Sequence, residues 1–374
     1  MTAPTRLSVD EPSSAPHASR TTPASRYHDP AFLDAELGQV FRRAWMAACP
    51  EYRVREPGRH FLFEELGESI VITRDEQGKI RAVHNSCRHR GTRLVCKAGR
   101  TPHLKCAYHG WVYSHDGRLR EVPEGGGFES LDRSKLDLVP VRAETFAGQV
   151  WINLDPQAPP LAATLGGIDR EVAHYRLEEM EPIQQAVWEL PVNWKAVLDN
   201  ATEYYHAPIV HKQTIDAHVG ATRPELVTYG DHTRQTLPIA PYEWRRWVDL
   251  RTSRGGPYTD KQLECIHKYL IFPNTLLNVL PYHLTVFQTF PIDAERCRFH
   301  YVFFKRRGAR GLEWLRAYAT WAASRYILRE DVVILHLFQQ GVRSGRTPEH
   351  VFHQYESAIL HHERALTRWI EGRV

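Results

Sequence analysis

The chain has 374 residues, 42% of them apolar and 25% charged, with a formal net charge of +4. That length suits two domains with cores of their own, and so small a charge excludes the basic footprint of a nucleic-acid binder. The six cysteines, at 49, 87, 96, 106, 265 and 297, do not make a disulfide framework; no apolar run can span a bilayer and no signal-peptide core opens the chain, so a cytoplasmic setting is expected.

Residues 1–26 are rich in Ser, Thr, Pro and Ala ("EPSSAPHASRTTPASR") and read as a disordered tail. A helical segment follows at about 30–45. From about 50 to 155 the pattern is mostly strand: "HFLFEEL" and "SIVITRD" alternate, "DEQGK" and Asp116-Gly117 mark hairpin turns, and "GQVWINLD" closes the block. With "DPQAPP" as a linker, residues 27–158 form a first, all-β domain behind a short helix. Residues 159–374 form a second domain of mixed character, so the fold class is α+β. In it "NWKAVLDNATEYYH" reads as a helix, "YLIFPNTLLNVLP", "HLTVFQTFP" and "CRFHYVFFKR" as antiparallel strands, and about 311–341 and 349–371 as helices. No GxGxxG follows a strand, so no nicotinamide or flavin site is expected in this chain.

Two constellations carry chemistry. The first is "CRHRG" with "CAYHGW": Cys87 and His89 in one loop, Cys106 and His109 in the next. A tetrahedral zinc site uses the same donor types, but its usual spacings group Cys with Cys and His with His. A mixed pair in each loop suits a [2Fe–2S] cluster gripped from two sides, each loop giving one thiolate and one imidazole. Gly91 and Gly110 permit tight turns there, and Trp111 and Tyr108 are placed to shield the cluster. Cys96, off the spacing, reads as a buried small hydrophobe.

The second is "NWKAVLDNATEYYHAPIVH". On a helix Asn200, Glu203 and His206 share a polar stripe, and a bend at Pro208 lets His211 reach the metal that His206 holds. A ferrous site with two imidazoles needs one carboxylate and open positions. Glu203 is the nearby candidate. Asp331 is the distant one, because in "RYILREDVVILHLFQQG" it shares a stripe with Ile327, Leu328, Ile334, Leu335 and Phe338, where an unpaired carboxylate is costly. Its bland alternative is a salt bridge to Arg325 or Arg329. "HHE" at 361–363 reads as a solvated face, and the Arg245, Arg246, Arg251 and Arg254 run as solvated surface. Tyr242, Trp244, Trp247 and Tyr258 read as packing or lid residues, with a cation cage as the sharper alternative.

"CRHRG…CAYHGW" resembles the Rieske cluster motif. Small Rieske ferredoxins and membrane cytochrome subunits do not account for the 220 residues that follow. Over about 30–371 the chain resembles the large subunits of Rieske ring-hydroxylating oxygenases, through "NWK…DN…E…H…H", "FPNTLLNVLPYHLTVF", "ED…Q" and "YESAILHHE". The resemblance implies a Rieske domain followed by a helix-grip-like catalytic domain. It implies cluster ligands Cys87, His89, Cys106 and His109, iron ligands His206, His211 and Asp331, and Glu203 as the acid bridging the two centres. It further implies a terminal oxygenase taking O2 and a small organic substrate, a separate reductase and in some systems a ferredoxin carrying electrons from NAD(P)H, and a homotrimer. The expectation is hydroxylation of an aromatic or other small molecule. Glu rather than Asp at 203 resembles the carnitine- and choline-oxidising members, so N- or O-demethylation or tailoring of a non-arene is the alternative. An electron-transfer protein and a zinc scaffold are the other rivals.

Overall fold

The structure, a computed structural model, describes residues 5–7, 20–128, 132–212, 214, 224–238 and 265–373. The chain falls into two units, 41–161 and 1–40 with 162–374.

In the 41–161 unit an antiparallel sheet runs in the order Met46–Pro50, Gln149–Asn153, Pro140–Phe146, Ile80–His84, Ile70–Arg74, Arg59–Phe63 and Gly99–Arg100. β-Branched and aromatic residues dominate its middle, and Gln149–Asn153 is buried along its whole length. A second sheet joins Leu104–Lys105, Val112–Tyr113 and Leu119–Glu121. The turns foreseen from "DEQGK" and Asp116-Gly117 are hairpins, with Gly78 and Gly117 at φ +79° and +89°. Between these strands lie the two cysteine loops. Their thiols belong to the core: Cys87 and Cys106 pack with Val71, Leu104, Trp111 and Tyr113.

In the other unit an antiparallel sheet is ordered Thr5–Leu7, Glu225–Tyr229, His232–Pro238, Cys265–Ile271, Thr275–Leu280, His283–Asp293, Arg296–Arg306 and Met180–Leu190. "YLIFPNTLLNVLP" is two paired strands split at Phe272–Asn274, since Pro273 offers no ladder donor. The Trp194–Thr202 helix packs on the His283–Asp293 strand. Gly311–Arg343 forms one long helix and Ser357–Ile370 the last. That last helix starts later than its pattern suggests, because Glu349–Val351 pairs as a strand with Thr21–Pro23.

That pairing corrects the expectation of a disordered 1–26 tail. Residues 1–4 and 8–19 lie outside the described residues, but Thr5–Leu7 is an edge strand and 20–26 is tied down. Arg20 donates to the Phe352 and His353 carbonyls, at 3.2 and 2.8 Å. Buried Tyr27 donates to Asp199 at 2.6 Å, and Arg26 pairs with Glu363 at 2.7 Å. The "HHE" reading is corrected too: His362 and Glu363 are both 1% exposed, because Glu363 receives Arg26 and Tyr27 of the N-terminal segment and His362 Nε2 meets Pro273 O at 2.7 Å. The Lys195 ammonium meets Glu36 at 2.8 Å, with both side chains fully buried, and Trp194 Nε1 donates to the same carboxylate.

Candidate metal centres and active site

The two cysteine loops repeat one backbone design. In the first, Gly91 N donates to Cys87 O and Cys87 N to Thr92 O; in the second, Gly110 N donates to Cys106 O and Cys106 N to Trp111 O. Each loop thus closes on its cysteine from four and five residues on, with a glycine at φ +78° or +73° making the turn. The histidines point to a common place: His89 Nδ1 and His109 Nδ1 are 3.1 Å apart. Trp111 stacks on His89 at 5.0 Å, and Tyr113 OH lies 3.4 Å from Cys87 Sγ while accepting from Arg88 N. Trp111 is buried but Tyr108 is exposed, so only the former shields. The thiol side is buried and His109 is exposed. Partial desolvation, then the neighbouring His89 and Arg90, holds the His109 imidazole below its ordinary pKa, in the neutral form a metal ligand needs. Two cysteine sulfurs and two histidine rings in this array fit a Rieske cluster. Cys96 is exposed, contrary to the expectation that it is buried, because its loop turns outward before Gly99–Arg100.

The second constellation forms differently from the helix foreseen. Asn193 caps the helix by accepting from Lys195 N at 3.0 Å, and is itself held by Ala294 O and Gln339. The helix ends at Thr202, and Glu203 is extended, with φ −117° and ψ 169°. The cause is local. The Glu203 carboxylate turns forward and accepts from the backbone N–H groups of Tyr205 and His206, starting the short Ala207–Val210 turn with Pro208 inside it. Asn200, Glu203 and His206 therefore do not share a helical stripe, although all three line one cavity.

His206, His211 and Asp331 each bring a ligand atom within 4.8 Å of the others. The Nε2 atoms of the two histidines are 3.2 Å apart, and Asp331 Oδ1 lies 3.0 Å from His211 Nε2 and 3.6 Å from His206 Nε2. Each outer nitrogen is held by a carboxylate. Glu203 accepts from His206 Nδ1, and Glu330 accepts from His211 Nδ1 at 2.8 Å. These acceptors fix the proton on Nδ1 in both rings. Two imidazole lone pairs then face each other and a buried Asp331 oxygen that has no hydrogen-bond partner. Such a convergence of acceptors fits a divalent cation. Burial opposes a proton on His211, yet Asp331 and Glu330 raise its pKa above the usual value, so the place favours positive charge. Of the two carboxylates considered, Asp331 lies beside the paired Nε2 atoms, whereas Glu203 sits on the far nitrogen of His206. Asp331 makes neither of the salt bridges considered for it, to Arg325 or Arg329, among the described residues.

Sequence reasoning missed Glu330. It lies next to Asp331 and is fixed further by Thr214 Oγ1 at 2.8 Å. The dipeptide "ED" was its only signal, because a residue one step along a helix points about 100° away. It also missed Lys268, which lines the same cavity. The cavity, of about 500 Å³, is walled mainly by apolar side chains, among them Val197, Leu280, Phe287, Phe299, Phe303 and Leu328. Burial lowers the Lys268 pKa to about 8, against the pull of Asp331 and Glu203. The Arg245, Arg246, Arg251, Arg254, Tyr242, Trp244, Trp247 and Tyr258 candidates lie outside the described residues.

The model of the ring hydroxylating alpha subunit catalytic domain matches residues 177–372, and that of the Rieske [2Fe–2S] domain matches 44–132. The chain belongs to the Rieske ring-hydroxylating oxygenase alpha-subunit family. This member is an oxidoreductase, and its cofactors are the [2Fe–2S] cluster and mononuclear iron. The carnitine monooxygenase oxygenase subunit of Escherichia coli K12 is 30% identical over 75% of this chain and 73% of its own. The chloroplastic choline monooxygenase of Spinacia oleracea is 26% identical over 90% of this chain and 76% of its own. A quaternary ammonium Rieske monooxygenase, solved with a view to carnitine oxidation by gut microbiota and inter-subunit electron transfer, superposes with TM-score 0.80 at 23% identity, covering 98% of this chain and all of its own. The expected α+β architecture, with a Rieske domain and an antiparallel catalytic sheet flanked by helices, is that of this Rieske oxygenase family. Among the described residues no helix is long and apolar enough to cross a membrane.

Proposed function

We propose that this Rieske oxygenase is the terminal monooxygenase of a multicomponent system and that it acts on a small quaternary ammonium compound. The relatives favour this alternative over the arene hydroxylation that the family resemblance first suggests. The observation that carries it is a largely apolar cavity with His206, His211 and Asp331 on its wall and Glu203, not the shorter Asp, behind His206.

In this reading Cys87, His89, Cys106 and His109 hold the cluster, and His206, His211 and Asp331 hold the iron. Bound there, the two centres supply two-electron activation of O2, one oxygen atom entering the substrate and the other leaving as water. The protein's own part is positional. Glu203 and Glu330 keep a proton on each Nδ1 and so aim each Nε2 at the iron position. His206, His211 and Asp331 would hold the iron at the cavity wall, where substrate and oxygen would reach it from the cavity. Phe287, Phe299 and Phe303 exclude bulk water and orient the alkyl groups that react. Asn200, on the same wall, is placed to hold a polar group of the substrate. Electrons come from NAD(P)H through a separate reductase, with or without a ferredoxin. In a homotrimer, Glu203 links His206 to His109 of a neighbouring copy.

The test is turnover of purified protein, loaded with both centres, with a generic reductase. The panel is carnitine, choline, glycine betaine and naphthalene, read as product formed per O2 consumed. Tight coupling with an ammonium substrate supports the reading. Coupling only with naphthalene, and peroxide with all the others, would sink it.

A further inference from the structure

One row of the cavity wall does not match the rest. Lys268 pairs in register with Asn278, and Asn278 with Thr285, so three neighbouring strands present a polar line across an apolar sheet. All three side chains line the cavity that holds His206, His211 and Asp331. Of the residues flanking them on the same face, Ile266, Leu280 and Phe287 are apolar and only His283, at the end of its strand, is polar. A polar line in such a wall costs stability unless it has partners.

Those partners are incomplete within the chain. The Lys268 ammonium has three hydrogens. It donates to Ala201 O at 2.8 Å and lies 4.1 Å from the Tyr204 ring centroid; among the described residues no carboxylate comes within 4 Å of it. Asn278 Oδ1 is buried with no hydrogen-bond partner. Turning that amide over points its two N–H groups along the same line. Capping the last turn of the Trp194–Thr202 helix explains one donor of Lys268. It explains neither the other two nor Asn278.

We propose that Lys268, Asn278 and Thr285 form a subsite for the carboxylate of the substrate, so that the pocket selects a molecule with an anionic end. An ammonium, an amide and a hydroxyl in a row supply the donors a carboxylate accepts. This deepens the quaternary ammonium reading and rests on it for the other end of the molecule. The substrate class is then a zwitterion, an ammonium joined to a carboxylate, and not a bare cation. A fixed ammonium repels a bare cation, and Lys268 already occupies the face of Tyr204. The substrate's own ammonium is left the phenyl side of the cavity, at Phe287, Phe299 and Phe303.

The experiment measures binding by calorimetry to the iron-loaded protein under anaerobic conditions, where nothing turns over. The probes are L-carnitine, its primary amide and choline, together with hexanoate, benzoate and their amides. Wild type should bind L-carnitine at least roughly tenfold more tightly than its amide or choline. Lys268→Met should bring the ratio close to one and improve choline binding. Asn278→Ala should lower the ratio several-fold without touching the Ala201 carbonyl, so it serves even if the lysine variant folds poorly. A carboxylate preference confined to hexanoate and benzoate supports the subsite and overturns the quaternary ammonium reading. Equal affinity for every acid and its amide in wild type, or a ratio unchanged in both variants, overturns the subsite.

Discussion

Replacing Glu330 by Gln tests how far the iron triad depends on the shell around it. His211 Nδ1 meets Glu330 Oε2 at 2.8 Å, and Thr214 holds the same oxygen at 2.8 Å. A glutamine keeps the size of the side chain but removes the charge that makes His211 a stronger donor to metal and fixes its tautomer. Losing such a partner typically weakens metal affinity by 10–100-fold, or about 1.4–2.8 kcal/mol. The structure argues for the upper half of that range, because the acceptor is a carboxylate and His211 is 1% exposed, so water cannot take its place. The assay is iron retention against a graded chelator, with cluster absorbance as the internal control. The chelator midpoint should fall by at least tenfold while the cluster colour is unchanged. An unchanged midpoint would refute the idea that Glu330 orients His211. Loss of both signals together would point to misfolding instead, and Glu330→Asp would then be read for partial rescue.

Three further outcomes are expected. With iron supplied in excess, to make up for the weaker hold on His206, Glu203→Ala should carry both metals and still lose turnover; normal product formation in that variant would remove Glu203 from the path between the centres. Lys195→Met leaves the fully buried Glu36 carboxylate unpaired, and should cost about 3–5 kcal/mol. Its melting temperature should drop by several degrees, and Lys195→Met with Glu36→Gln should recover part of the loss. Stability should also fall with acid. Burial pushes the pKa of His232 and of His362 down to about 4, from an ordinary histidine value of about 6.5. Between those values the unfolded chain binds more protons, so this stability is complete above about pH 6.5 and is lost as pH falls toward 4, by up to roughly 3 kcal/mol per residue. His232 shows why: Nε2 donates to Thr164 O and Nδ1 accepts from Phe272 N, and the charged ring has no acceptor to offer. A urea midpoint that stays flat from pH 7 to 5 would contradict this.

Much of the site was legible because its parts are close in sequence. Cys87, His89, Cys106 and His109 occur in two short loops, and His206 and His211 are five residues apart. Asp331 was legible through an energetic oddity, a carboxylate on an apolar stripe. Lys268 and Asn278 carry the strand version of the same oddity, one polar residue among Ile266 and Leu270, another between Leu276 and Leu280. That oddity is not legible in the sequence, because a polar residue on one strand means little until the register sets it beside the next. The helix end at Thr202 could not be placed from pattern, since the sequence 193–206 has helical periodicity throughout; a side-chain carboxylate outcompetes the backbone there. Glu363 and Glu36 look like surface acids because their cations, Arg26 and Lys195, are more than 150 residues away.

Those last contacts bear on how the enzyme can be taken apart. Residues 20–40 precede the cluster-bearing block in sequence but belong with the residues after it. The block is thus an insertion within the catalytic polypeptide, and no single cut separates the two activities. A fragment beginning at 162 would keep Lys195, Asp199 and Glu363 but lose Glu36, Tyr27 and Arg26, leaving charged groups stranded in its interior. Dissection calls instead for joining 20–40 to 162–374 across a short flexible linker. Limited proteolysis should cut near Phe41 and Leu161, where the chain passes from one unit to the other.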